Sequence, residues 1–286
     1  MKYASILSIL LAATVFFVAC GNLEKEIDLK LPVYESQYVV ECYLEPGDNF
    51  RLVLTRSVPY FEPFPSDPEV FLNRILVDSA EVVISHAGKD YVLKNEIDVA
   101  YLFTATKIYN YHSPEIVPQD YDNDFSLRIT TPDGKTITAA TRLLPVVPID
   151  SVVVEFDERR DTLARVLTYL TDDPAQKNYY RRMLHYHSLD SIPQQDFTTN
   201  DDFVDNKVIV FGSGYDLKEG DTIYNTLFHI DRAYYDFWES TFNAINANGN
   251  PFGQPSAVIS NLKGDAGAIG IFTGLSYDRV MTVVKK

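Results

Sequence analysis

Four short stretches of the chain carry residue types that could do chemistry. His185-Tyr186-His187 lies in a run with strand-like alternation, residues 178–188. A strand would put both imidazoles on one face, where His229 or a carboxylate could complete a zinc site. Asp120-Tyr121-Asp122-Asn123-Asp124 opens like a calcium loop. The EF-hand pattern needs glycine at its sixth position and glutamate at its twelfth, and Phe125 and Thr131 stand there instead. Asn200-Asp201-Asp202 is a shorter acidic cluster of the same kind. Phe211-Gly-Ser-Gly-Tyr215 has two glycines but lacks the helix and spacing of a phosphate loop or a nucleophile elbow, and reads as a hairpin turn. Strand-face histidines are more often solvated or packed than ligating. Neither a metal nor another cofactor is therefore expected at Asp120, Asp122, Asp124, His185 or His187. Cys42 stands in the apolar run Tyr38-Val-Val-Glu-Cys-Tyr-Leu44 and reads as a small buried hydrophobe rather than a nucleophile. No Ser-His-Asp set can be proposed from spacing, and paired carboxylates carry no signal among 40 acids.

Two elements decide where such groups would work. The first is the N-terminus, MKYASILSILLAATVFFVAC. Lys2 precedes an apolar run from Ile6 to Val18, shorter than the roughly 20 residues that span a bilayer. This is a secretory signal. It ends in Phe17-Val-Ala-Cys20-Gly, which is similar to a bacterial lipobox apart from Phe17 where Leu is usual. Residues 1–19 are thus expected to be removed and Cys20 lipidated, which anchors the chain to a lipid bilayer through acyl groups. Glu24, Glu26 and Asp28 follow closely and resemble an export signal to the cell surface. Residues 20–36 form the tether, with outer-membrane attachment the expectation and the periplasmic face the alternative.

The second element is the body that follows. Short runs of alternating apolar residues, separated by turns such as Pro46-Gly-Asp-Asn49, Ala87-Gly-Lys-Asp90 and Pro132-Asp-Gly-Lys135, read as strands. The fold class expected is mainly β. Residues 37–145 read as an immunoglobulin-like β-sandwich. A proline-punctuated connector, Leu143-Leu-Pro-Val-Val-Pro-Ile-Asp150, then leads to a second β-rich domain, residues 146–286. That domain carries one amphipathic helix at about 231–247, capped by Asp231. Its stripe of Tyr234, Phe237, Trp238, Thr241 and Ile245 is expected to pack on the second sheet. Residues 60–68 carry three prolines and read as a loop, and residues 99–104 as a strand.

Composition narrows the partners. Apolar residues make up 46% of the chain, enough for a real core. A net charge of −15 argues against nucleic acid and against attraction to anionic lipid. With Cys20 acylated, Cys42 has no partner, so no disulfide framework is expected. Nineteen tyrosines, 17 phenylalanines and one tryptophan suit ligand stacking and protein interfaces. Tyr60, Phe61 and Phe64, in a proline-rich loop, are the candidate partner contact.

Several segments along the whole exported part resemble the DUF4249 lipoproteins of Bacteroidota: Tyr38-Val-Val-Glu-Cys-Tyr-Leu, Val77-Asp-Ser-Ala-Glu-Val-Val-Ile, Phe125-Ser-Leu-Arg-Ile-Thr-Thr-Pro-Asp-Gly-Lys, Tyr234-Tyr-Asp-Phe-Trp-Glu and Ile269-Gly-Ile-Phe. The order and coverage of these segments carry the resemblance. It implies a lipoprotein that works beside a TonB-dependent outer-membrane β-barrel receptor, and it supplies no functional residues to carry over. The expected function is a non-enzymatic accessory or ligand-capturing subunit of such a transporter. The alternatives are a structural or adhesive surface lipoprotein without a transporter, and an exported hydrolase, which would need a cleft holding a tuned acid or nucleophile.

Overall fold

Sixteen strands lie among the described residues, and many of them, such as Tyr38–Leu44, Asn49–Arg56, Phe125–Thr130 and Ala164–Thr171, alternate buried and more exposed side chains with period two. In the computed structural model, residues 35–59, 63, 65–97, 108–202, 207–247 and 257–286 are described. Cys20, Glu24, Glu26, Asp28, Tyr60, Phe61, Phe64 and the strand expected at 99–104 lie outside them, so those expectations stand as sequence readings. The protein is mainly β, with a β-sandwich-like architecture.

The first seven strands are β1 (Tyr38–Leu44), β2 (Asn49–Arg56), β3 (Glu81–His86), β4 (Lys89–Asn95), β5 (Tyr111–Ile116), β6 (Phe125–Thr130) and β7 (Thr136–Thr141). The chain then crosses into β8 (Ser151–Phe156), β9 (Ala164–Thr171), β10 (Tyr179–Tyr186), β11 (Gln195–Asn200), β12 (Val208–Gly212) and β13 (Thr222–Ile230). After a helix come β14 (Lys263–Gly264), β15 (Ile269–Gly274) and β16 (Ser276–Val283). A curled nine-stranded sheet runs β14-β7-β6-β3-β4-β5-β2-β1-β15. A four-stranded sheet runs β11-β10-β13-β16, and a three-stranded one β12-β9-β8.

The connector at Leu143–Asp150 separates β7 from β8 but does not end a domain. Residues from Ser36 to Lys286 form one compact unit. The reason is nonlocal pairing: β14 returns to β7, and β15 pairs parallel with β1, Val40 opposite Gly270. The expected division into 37–145 and 146–286 is corrected accordingly.

Three apolar clusters and a helix fix the sheets. The nine-stranded sheet curls around Leu44, Phe50, Leu52, Ile84, Phe125 and Leu127, all at most 1% exposed. Cys42 is buried with them, its Sγ 3.3 Å from the Arg51 carbonyl, and burial pushes its thiol well above the usual range. The four- and three-stranded sheets pack face to face through Leu170, Tyr180, Phe211 and Leu227 at one end and Val166, Leu184 and Ile223 at the other.

Two helices lie among the described residues. The short α1 (Pro68–Ile75) starts at the last residue of the expected loop; Asp67 caps it, accepting from the Glu69 amide at 2.9 Å, and Pro68 opens it. The long α2 (Arg232–Ala247) starts at Asp231, whose Oδ1 accepts from the Tyr234 amide at 2.7 Å. Its stripe is core only at its start. Tyr234 is fully buried against Phe228, Ile271 and Leu275, whereas Phe242 and Ile245 are 57% and 62% exposed. Helix α2 therefore wedges between β15 and the β10–β11 edge rather than lying on one sheet.

A candidate aromatic and cationic ligand cleft

The face of the four-stranded sheet turned away from the three-stranded sheet is built by register. Arg181, Phe228 and Tyr277 lie in one row across β10, β13 and β16; Met183, Thr226 and Arg279 lie in the next. Period-two alternation sends His185 to the same face, while Arg182 and Leu184 turn inward. Trp238 of α2, Leu275, and Tyr43 and Glu45 from the end of β1 close the other side. Together they enclose a cleft of about 430 Å³. That volume lies in the range of small-ligand sites. A second, mainly apolar pocket of about 230 Å³ adjoins it between Tyr43 and the exposed end of α2, lined by Phe237, Phe242 and Ile245; the two share Tyr43 and Trp238.

The arginines are held by rings. Arg181 lies 4.0 Å from the Trp238 ring centroid, and each nitrogen of its fork is engaged: Nε and Nη2 donate to Asp196 at 2.7 Å each, and Nη1 donates to Tyr234 at 2.7 Å. Arg279 is different. It lies 4.7 Å from the Tyr277 ring, and its Nε donates to Thr226 Oγ1 at 2.8 Å on the neighbouring strand. The side chain thus lies across β13 towards β10, and its Nη groups make no hydrogen bond or ion pair among the described residues.

His185, 5% exposed, lines the same cleft, and its Nδ1 has no hydrogen-bond partner. Burial, helped by the Arg279 charge, lowers its pKa, so it is neutral near pH 7. Glu45 is the one carboxylate among the described residues lining the cleft. Burial and the neighbouring Asp48 raise its pKa, while Arg279, Arg51 and Arg181 pull it back.

The histidines and acids marked in the sequence do not converge. Strand β10 ends at Tyr186, and His187 follows at φ 65°. That turn sends its ring out to solvent, 3.9 Å from Asp221, rather than beside His185. His229 points to the opposite face of β13, between the Pro145 carbonyl at 2.8 Å and Asn178 Oδ1 at 3.2 Å. Asp120 accepts from the amides of Asp122 and Asn123 and pairs with His86 Nε2 at 3.1 Å. Its turn hydrogen bonds, the Asn123 side chain foremost, hold its carboxyl down at about 2. Asp124 is taken by Arg142 at 2.7 Å. Asp202 pairs with Lys177 at 2.6 Å, and Asp201 accepts the Asn178 amide. No group of three metal-ligating side chains is assembled among the described residues. The stretch at Phe211–Tyr215 is no hairpin either. Strand β12 ends at Gly212, and Ser213 exchanges hydrogen bonds with the Val166 backbone as the chain continues along β9.

Fold and site together define a β-sandwich-like protein with a preformed aromatic cleft between a sheet face and a helix. The chain belongs to the DUF4249 family, described as a domain of unknown function, whose model matches residues 24–280. Comparison with curated proteins finds no match. Among solved structures, one that is similar is the native conformation of E. coli alpha-2-macroglobulin, at 12% identity and a TM-score of 0.25. The match covers 70% of this chain and 13% of that one, so the chain spans a small part of that protein's length.

Proposed function

We propose that this protein is a non-enzymatic, lipid-anchored outer-membrane protein that captures a ligand for a TonB-dependent β-barrel. The observation that carries the capture half is the cleft of about 430 Å³ walled by Tyr43, Phe228, Trp238 and Tyr277, with Glu45, Arg279 and the buried His185 also lining it. Aromatic walls with a few fixed polar groups are what small-ligand sites use to gain affinity and orientation together. The anchoring half rests on the sequence around Cys20, and the barrel on the implication of the family resemblance. A lipid tether would hold the cleft near the barrel mouth and raise its effective concentration there.

The test is co-isolation. A C-terminally tagged chain is recovered from host outer membranes in mild detergent, with a Cys20→Ala chain alongside. The expected result is a stoichiometric β-barrel with the native chain, and loss of membrane attachment in the variant. Recovery of the anchored protein alone, where known barrel complexes survive, sinks the transporter role and favours an adhesive or structural surface protein.

One observation favours a second reading, an exported hydrolase: Glu45 sits in the cleft with a raised pKa, as a general acid would. A hydrolase predicts that Glu45→Gln abolishes turnover while leaving binding intact. The capture reading predicts that peptides and oligosaccharides incubated with the native protein are returned unchanged, as mass spectrometry of the incubated mixture would show.

A further inference from the structure

Deepening the capture reading above, we propose that the cleft binds a carboxylate with an apolar body, the carboxylate on Arg279 and His185 and the body in the pocket between Tyr43 and α2. The argument begins with what the aromatic walls already do. The faces of Trp238 and Tyr277 carry guanidinium groups at 4.0 and 4.7 Å. These rings therefore position arginines more than they offer open stacking surfaces to a sugar.

Of the two arginines, Arg181 has its charge paired with Asp196 and every nitrogen of its fork engaged, by Asp196 and Tyr234. Arg279 is fixed on two sides, by the ring of Tyr277 and by Thr226 Oγ1, yet its Nη pair remains open. A guanidinium held in this way has lost its rotamer freedom before any ligand arrives, and its free edge matches a carboxylate bidentately.

His185 supplies the second donor. It is 95% buried, lines the cleft, and leaves Nδ1 without a partner. A buried ring nitrogen without a partner is costly, and a turn of the ring that brings an Nδ1–H to a ligand oxygen in the cleft would satisfy it. Glu45 faces the same space and would repel an anion when ionised. Its raised pKa makes the neutral form, a further donor, more accessible.

The apolar body follows from the adjoining pocket. Tyr43 and Trp238 are common walls, so a ligand seated on Arg279 can extend past them onto Phe237, Phe242 and Ile245 without leaving the protein. Phe242 and Ile245 are the exposed end of the helix stripe, and a ligand body would cover them.

The experiment is a calorimetric titration of the full chain in detergent with N-acetylphenylalanine and with its amide, which has the same body and no charge. A charge-assisted bidentate bond is worth about 1.5–3 kcal/mol, so the acid should bind roughly 10–100-fold more tightly than the amide. Arg279→Met should remove that preference while leaving Tm within about 1 °C, since Arg279 is exposed, and Arg279→Lys should restore only part of it. Arg128→Met, an exposed arginine outside the cleft, should change nothing. Equal affinity for acid and amide would overturn the anion assignment while leaving a ligand-capturing cleft. Heat from neither compound would overturn it as well, and the capture role would then be decided by the co-isolation above.

Discussion

Gly270→Ala should destabilise the protein by at least about 3 kcal/mol. Gly270 has φ 129°, a conformation that side-chain-bearing residues rarely adopt, and such strain alone costs about 1–3 kcal/mol. A Cβ built there would lie 1.9 Å from the Val40 carbonyl oxygen and 2.9 Å from the Val40 nitrogen. Both are backbone atoms of β1, which cannot move aside as a flexible side chain could. The parallel pairing of β15 with β1 must open, and it is this pairing that brings Ile271 and Leu275 under helix α2. The cleft loses its Leu275 wall with the fold. Thermal unfolding followed by circular dichroism should show a Tm lower by roughly 6–12 °C, taking 2–4 °C per kcal/mol for a chain of this size. Gly214→Ala, whose added Cβ meets only the Asp216 side chain at 3.9 Å, should stay within about 0.5 kcal/mol of the native protein. A Gly270→Ala protein as stable as that control would mean that β1 and β15 are not paired in this register.

Arg182→Met should do the reverse and stabilise the protein by about 1–3 kcal/mol. Arg182 is 1% exposed between the four- and three-stranded sheets. Its partners are neutral: the Gln195 side chain, Asn225 Oδ1 at 3.0 Å and Thr168 Oγ1 at 3.5 Å. No salt bridge forms on it among the described residues, and its Nε, together with Asn225 Nδ2, makes no hydrogen bond. A half-satisfied buried polar group is worse than an apolar one of the same volume. Burial lowers the Arg182 pKa from its ordinary value to about 10, a cost on the order of 3 kcal/mol to the charged form. Methionine keeps much of the stem, and Asn225 Oδ1 keeps its bond from Thr168 at 2.8 Å.

The pH dependence carries the sign. With the folded pKa depressed, the penalty on the native chain is complete below it and fades as pH rises through about 10 towards the ordinary arginine value. The advantage of Arg182→Met, measured by urea unfolding, should therefore be constant from neutral pH up to about 9 and shrink above about 10. A variant less stable than native at neutral pH would show that the Gln195 and Asn225 hydrogen bonds outweigh desolvation.

Much of the fold was legible in local pattern, and the misses share a physical cause. Strands with one buried face, such as Phe125-Ser-Leu-Arg-Ile-Thr, declare themselves by alternation. Strand β11, Gln-Asp-Phe-Thr-Thr-Asn, is half-buried at every position, so it has no alternation to read. Strand β5 hides behind Pro114, and helix α1 behind a run of prolines, though Asp67-Pro68-Glu69 is a helix start by composition. The return of β15 to β1 joins segments some 230 positions apart, and no local pattern encodes a parallel pairing of that span.

The cleft was hidden for the same reason. Tyr43 with Glu45, His185, Trp238 and Arg279 come from four separated segments, and no spacing links these segments. One signal was available. Arg181-x-Met183-x-His185 and Tyr277-x-Arg279 each alternate chemistry-bearing residues along one strand face. His185 was visible as a group that could do chemistry, but its neighbour His187 suggested the wrong partner. Without the left-handed turn at His187, sequence alone could not separate the two rings.

Trp238 is the only tryptophan in the chain, and it stands in the wall common to both pockets. Its fluorescence is therefore a direct report on the cleft. The measurement that bears most directly on a ligand-capturing cleft is a titration of the full chain in detergent with N-acetylphenylalanine, following Trp238 emission in native and Arg279→Met proteins. A saturable change in the native protein that disappears in the variant is the outcome expected of a cleft seated on Arg279. Binding seen by calorimetry with no change in Trp238 emission would contradict the account, because the ligand would then sit elsewhere on the molecule.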